Sequence, residues 1–117
     1  MNIHDLACAM VDYFKYMEGI NRVAMIYVEN KPVGWFTYLI GTWEHVKIFH
    51  DRPMFSLMKD EGTGPVIYID YVVSNVWSRE IRDSIYQSLK DRHKEVKIFV
   101  WYRPSAKEDR MVVWEPR

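Results

Sequence analysis

Hydrophobic and polar positions change period several times along the chain, and each change predicts an element. Between Asp5 and Glu18, the residues Leu6, Met10, Phe14 and Met17 recur at helical spacing. This predicts an amphipathic helix with Asp5 as N-cap and Gly19 at its C-cap. The period then shortens. Arg22 to Val28 and Val33 to Ile40 are rich in Val, Ile, Tyr, Trp and Phe, with Glu29-Asn30-Lys31-Pro32 between them. Asn30 tolerates left-handed backbone angles and Pro32 fixes its own φ, so the pair reads as a β-hairpin.

From Gly41 to Gly64 the pattern blurs. His45 to Phe49 reads as a third strand, and Asp51-Arg52-Pro53 as the start of a short helix through Met58, because proline suits a first helical turn. Gly62-Thr63-Gly64-Pro65 then breaks the chain before its most apolar run, Val66 to Val73. Such a run without alternation predicts a central strand covered on both faces. Ser78 can cap a helix with Ile81, Ile85 and Leu89 as its buried stripe and Tyr86 beside it, fading near Arg92. Val96 to Tyr102 reads as a strand, Pro104 to Asp109 as a turn and Met111 to Trp114 as a closing strand. The strand-helix-strand unit implies a right-handed crossover with parallel outer strands, and hence an α+β domain with a mixed sheet.

Composition narrows the function classes. With 117 residues, 49% of them hydrophobic, the chain can bury one core, so residues 1–117 read as one domain. Sixteen Lys+Arg balance sixteen Asp+Glu, which argues against a general nucleic-acid binder. The single cysteine, Cys8, allows no internal disulfide and no thiolate metal site, so no metal is expected and a reducing, cytoplasmic setting is. No apolar run is long enough to span a bilayer.

Asp70 is the most informative residue, because a carboxylate inside an apolar strand needs a partner or several donors. It reads either as a strand-end residue or ion-pair partner, or as a carboxylate that orients and stabilises a histidine. Four histidines compete for that role. His45 and His50 fall on opposite faces of the expected strand, His93 sits at a charged helix end, and His4 precedes the first helix as an exposed terminal residue. No Gly-x-Ser-x-Gly elbow exists, and Cys8 reads as a small buried side chain. All five glycines precede Val66, so the turn into the Ser78 helix has none to let backbone N–H groups wrap a pyrophosphate. Trp35, Tyr38, Tyr68, Tyr71, Trp101 and Trp114 read as face-packing aromatics, some of which could line a groove.

The order of elements resembles the GNAT N-acetyltransferase fold, without its coenzyme A loop. It is more similar to the toxin-activating lysine acyltransferases, the haemolysin-activating proteins. Ile3-His4-Asp5 resembles that family's Ile-His segment, Asn30-Lys31-Pro32-Val33-Gly34-Trp35 its Asn-x-Pro-Val-Ala hairpin, and Tyr68-Ile69-Asp70-Tyr71-Val72-Val73 its Phe-Ile-Asp-Trp-Ile-Ala strand. Lys90-Asp91-Arg92, a strand and Arg103-Pro104 parallel its last βαβ unit.

The resemblance implies a catalytic pair, His4 and Asp70, that moves an acyl group from acyl carrier protein to a lysine ε-amine of a protein substrate without a cofactor. Trp35, Tyr38, Tyr68 and Tyr71 would line the acyl groove, and Lys90, Arg92, Lys94 and Lys97 would meet the acidic carrier. A homodimer is compatible with it. The alternative is a non-catalytic interaction module of the same architecture, phage- or plasmid-borne, that binds through its aromatic face. An ordinary acetyltransferase is disfavoured by the missing glycines.

Overall fold

The computed structural model describes residues 2–52, 57, 63–103 and 110–115, with backbone alone at 102, 103 and 110. Helix α1 runs Ile3–Gly19. Its N-cap is Asn2 rather than Asp5: the Asn2 side chain accepts the Asp5 N–H at 2.8 Å. Asp5 instead lies in the first turn, where a carboxylate favours the helix dipole. Gly19 is the last helical residue and Ile20 the C-cap; Asn21, at φ 61°, turns the chain into the sheet. Only the second half of α1 packs down, through Tyr13 and Met17.

The hairpin forms as expected, from β1 (Val23–Val28) and β2 (Lys31–Gly41). Its two turn residues, Glu29 at φ 51° and Asn30 at φ 67°, both occupy the left-handed region, which suits the twist of the flanking strands. The strand expected over His45 to Phe49 is instead helix α2, Trp43–Asp51. Local capping explains the difference. The Thr42 N–H donates to His45 Nδ1 at 3.4 Å and the Thr42 hydroxyl lies 2.7 Å from the same nitrogen, while Val46 and Phe49, one helical turn apart, enter the core. Arg52 leaves the helix with extended backbone ahead of Pro53, as the residue before proline must. Asp51 therefore ends a helix rather than starting one; most of the segment to Met58 lies outside the described residues.

Strand β3 (Val66–Ser74), helix α3 (Arg79–Arg92), β4 (Ile98–Arg103) and β5 (Arg110–Trp114) complete the order. Ser78 caps α3 by accepting the Ile81 N–H, and Ile81, Ile85, Tyr86 and Leu89 are buried. The expected turn from Pro104 to Asp109 lies outside the described residues. The sheet has the order β1-β2-β3-β4-β5; only the β3–β4 pair is parallel. The fold is thus α+β with a five-stranded mixed sheet, and β3 is its central strand. Along β2 the side chains alternate. Phe36, Tyr38 and Ile40 join the core under α3, whereas Leu39 joins Tyr13, Met17, Val46, Phe49, Val66, Tyr68 and Val100 under α1 and α2. No helix among the described residues is long and apolar enough to cross a membrane.

Gly34 marks a close approach between β2 and β3. A Cβ there would meet the Val73 carbonyl oxygen and lie 2.7 Å from Ser74 Cα, both backbone atoms that cannot swing aside. Gly34→Ala is therefore expected to destabilise the fold by about 1–3 kcal/mol, the usual cost of overpacking. Urea unfolding checks this; an unchanged midpoint would contradict it.

Candidate functional site

The site grows from an irregularity in β3. Thr37 pairs with Tyr71 and Tyr38 pairs with Ile69, so Asp70 is an extra residue with no partner on β2. A bulge of this kind turns two consecutive side chains to one side. Tyr68, Asp70 and Tyr71 consequently all face α1 and α2, with Tyr71 packed edge-on to Tyr13 at 5.3 Å.

Asp70 sits at the end of a directed chain of hydrogen bonds. The Tyr71 N–H donates to Thr37 Oγ1 at 3.2 Å, the Thr37 hydroxyl lies 2.6 Å from Tyr13 Oη, and Tyr13 donates to Asp70 Oδ2 at 2.5 Å. Because the Tyr13 proton goes to the carboxyl, the Thr37 hydroxyl donates to Tyr13, and each bond polarises the next. Arg52, just beyond α2, forms an ion pair with the same Oδ2, and the Asp70 and Arg52 side chains are each only 6% exposed. A second guanidinium nitrogen donates to the Phe49 carbonyl at 3.3 Å. Beside this cluster, His50 Nδ1 lies 3.3 Å from the Tyr68 hydroxyl.

Burial decides the titration of both acids. It holds the Asp70 carboxyl above its usual range, against the downward pulls of Arg52, Tyr13 and, more weakly, a charged His50. Burial, then the Asp70 charge, raises the Tyr13 hydroxyl well above its ordinary value, so it remains a donor.

The pairing of the two parallel strands ends just before the bulge. β3 and β4 pair over three positions, from Val66–Ile98 to Tyr68–Val100. Beyond that, β3 continues along β2 to Ser74 and β4 continues along β5 to Arg103. Next to Asp70, therefore, β3 and β4 are not ladder partners of each other.

The expected site residues are only partly brought together. His4 does not meet Asp70. It is exposed in the first turn of α1, with its Nε2 3.8 Å from the equally exposed Cys8 Sγ. Tyr13, on the same helix, reaches Asp70, and His4 lies about 14 Å further along the helix axis at 1.5 Å per residue. Cys8 is thus a surface residue rather than a buried one. The four groove aromatics also divide. Tyr38 is fully buried on the α3 side, its hydroxyl 2.9 Å from His93 Nε2, while Tyr68 and Tyr71 lie on the α1–α2 side and Trp35 packs there against Phe14 at 5.1 Å. Trp35 and Tyr38 are three positions apart on one regular strand, so they cannot share a face. The basic residues Lys90, Arg92, Lys94 and Lys97 stand where α3 returns to the start of β4, at the opposite end of the parallel pair from Asp70.

Tyr13, Thr37 and Arg52 have no site role in the sequence reading, and His50 stands there only as one of four competing histidines. Tyr13 lies beside the expected stripe of α1, and His50 flanks an expected strand that is instead a helix. No group of three or more His, Cys, Asp and Glu side chains is placed to hold a metal among the described residues. No protein-family model matches the chain, and no curated protein matches it.

Two outcomes follow from this geometry. Tyr13→Phe keeps the ring but leaves Thr37 and Asp70 each short of a partner, so a loss of about 1–3 kcal/mol is expected in urea unfolding; a neutral change would mean the hydroxyl is dispensable. A carboxyl raised on folding contributes stability that is fully present below its unfolded value, about 3.9, and is lost as pH rises through the folded value. The stability of the wild type relative to Asp70→Asn should therefore fall as pH rises across that window. A relative stability that grows with pH would show that Arg52, not burial, sets the carboxyl.

Proposed function

We propose that this chain is an acyl-transfer domain on an acetyltransferase-like plan, taking a thioester-borne acyl group between β3 and β4. The observation that carries the reading is that β3 and β4 stop pairing just before the Asp70 bulge. Strand edges that no longer pair with each other can hydrogen-bond an extended, amide-bearing arm between them, as sheets do with added peptide strands. The turn from β3 into α3, Asn75 to Ser78, has no glycine to cradle a pyrophosphate, so the donor is an arm carried on acyl carrier protein rather than free coenzyme A. The acceptor is a lysine ε-amine on a protein substrate.

In the reaction the amine nitrogen attacks the thioester carbonyl, the new N–C bond forms and the C–S bond breaks. A general base takes the amine proton and returns it to the departing thiol. His50 suits this role better than His4, because it neighbours Tyr68 and lies close enough to feel the Asp70 charge. Asp70 would stabilise the imidazolium, and Tyr13 and Arg52 would fix the carboxyl.

A second reading is a non-catalytic interaction module. It is favoured by the full engagement of Asp70 with Tyr13 and Arg52 and by an apolar row across the sheet: Met25 opposite Trp35 opposite Val73, with Met25 and Val73 exposed.

Acyl carrier protein loaded with a labelled acyl chain, incubated with lysine-bearing partner proteins, separates the readings. Acyl transfer predicts that His50→Ala lowers the rate by about 100-fold or more while His4→Ala leaves it unchanged. Transfer that survives His50→Ala but not His4→Ala would return the role to His4. No transfer by the wild type, with partner capture lost in Trp35→Ala, would favour the module.

A further inference from the structure

The α3 side of the sheet carries a second polar arrangement, separate from the Asp70 cluster. Arg82 and Tyr86 are one helical turn apart on α3 and share a face. Tyr86 is 3% exposed, and its ring stacks on Trp114 with centroids 4.1 Å apart and planes 9° from parallel. Trp101 closes in at 5.6 Å. Among the described residues neither the buried Tyr86 hydroxyl nor the buried Arg82 Nε has a hydrogen-bond partner. A phenylalanine would fill the same space without leaving a hydroxyl unsatisfied, so packing alone does not account for Tyr86.

The surroundings restrict what could satisfy these donors. Arg82 is 37% exposed and opens the arrangement to solvent; its only ion pair among the described residues is a surface contact with Asp83 at 3.4 Å. The Arg82 charge lies close enough to favour ionisation of Tyr86, although burial outweighs it. One cation a helical turn from a tyrosine that packs on two indoles suits a monoanion with a flat apolar body. A phosphate dianion would bring more charge than one guanidinium, already facing Asp83, can balance.

We propose that Arg82 and Tyr86, with Trp101 and Trp114, form a binding site for a small aromatic carboxylate. One carboxylate oxygen accepts the Tyr86 O–H, the other accepts from the Arg82 guanidinium, and the ring of the ligand lies against the exposed parts of the two indoles.

Benzoate titrated into the full chain tests this, followed through the indole N–H resonances. The expected result is a saturable shift of Trp101 and Trp114, with Trp35, Trp43 and Trp77 unmoved and no saturable response to benzyl alcohol. Tyr86→Phe should weaken binding by about tenfold or more without lowering Tm, since it removes only an unpartnered hydroxyl. Arg82→Gln, a change at the surface end, should weaken binding by a similar factor. The absence of a saturable shift in the wild type, wild-type affinity retained in either variant, or an equal response to benzyl alcohol would overturn the proposal.

Discussion

The ion pair of Asp70 and Arg52, with the Tyr13 hydroxyl on the same carboxyl oxygen, joins three elements through one buried carboxyl. Asp70 belongs to the central strand, Tyr13 to the packed half of α1, and Arg52 to the exit of α2. A buried carboxyl or guanidinium left alone would cost several kcal/mol, so each member is stable only in the presence of the others. This makes the cluster a positional constraint on the helices rather than a simple gain in stability. Apolar contacts such as Met17, Val46 and Phe49 drive the helices onto the sheet. The polar cluster fixes where along the sheet they stop.

The bulge in β3 gives that constraint its place. Without an extra residue, Asp70 and Tyr71 would point to opposite faces, and one of them would enter the core beneath α3. With it, Tyr68, Asp70 and Tyr71 line one face, and Thr37 of β2 is near enough to serve both the Tyr71 amide and the Tyr13 hydroxyl. The same level of the sheet is where β3 and β4 cease to pair. Fold and site are therefore parts of one irregularity, which is why the end of the β3–β4 pairing, next to a buried charge, is the natural place to seek chemistry in this chain.

Much of the architecture was legible in the residues. Asn30 announced the hairpin turn, Ser78 the start of α3, and the unbroken apolar run from Val66 the central strand, because each signal is local and strong. Asp70 stood out for the same reason. Two kinds of information were not legible. Trp43 to Asp51 carries strand-like residues, and the capping by Thr42 and His45 that makes it a helix is weaker in the sequence than its aromatic content. The bulge leaves no sequence signal at all, yet it puts Tyr71 on the same face as Tyr68 and Asp70; Tyr38 falls on the other face by the alternation of β2, and Tyr13 lies beside the stripe expected for α1. His4 was expected to meet Asp70 through a resemblance of short motifs, and the length of α1 separates them.

The most direct test of the central claim is a double-mutant cycle on Arg52 and Asp70, with Arg52→Met, Asp70→Leu and the pair compared by urea unfolding. If the cluster is a mutual constraint, each single change leaves one buried group uncompensated and costs about 3–5 kcal/mol, whereas the double variant recovers most of that loss. Single changes that cost less than about 0.5 kcal/mol, or a double variant whose loss equals the sum of the singles, would contradict it.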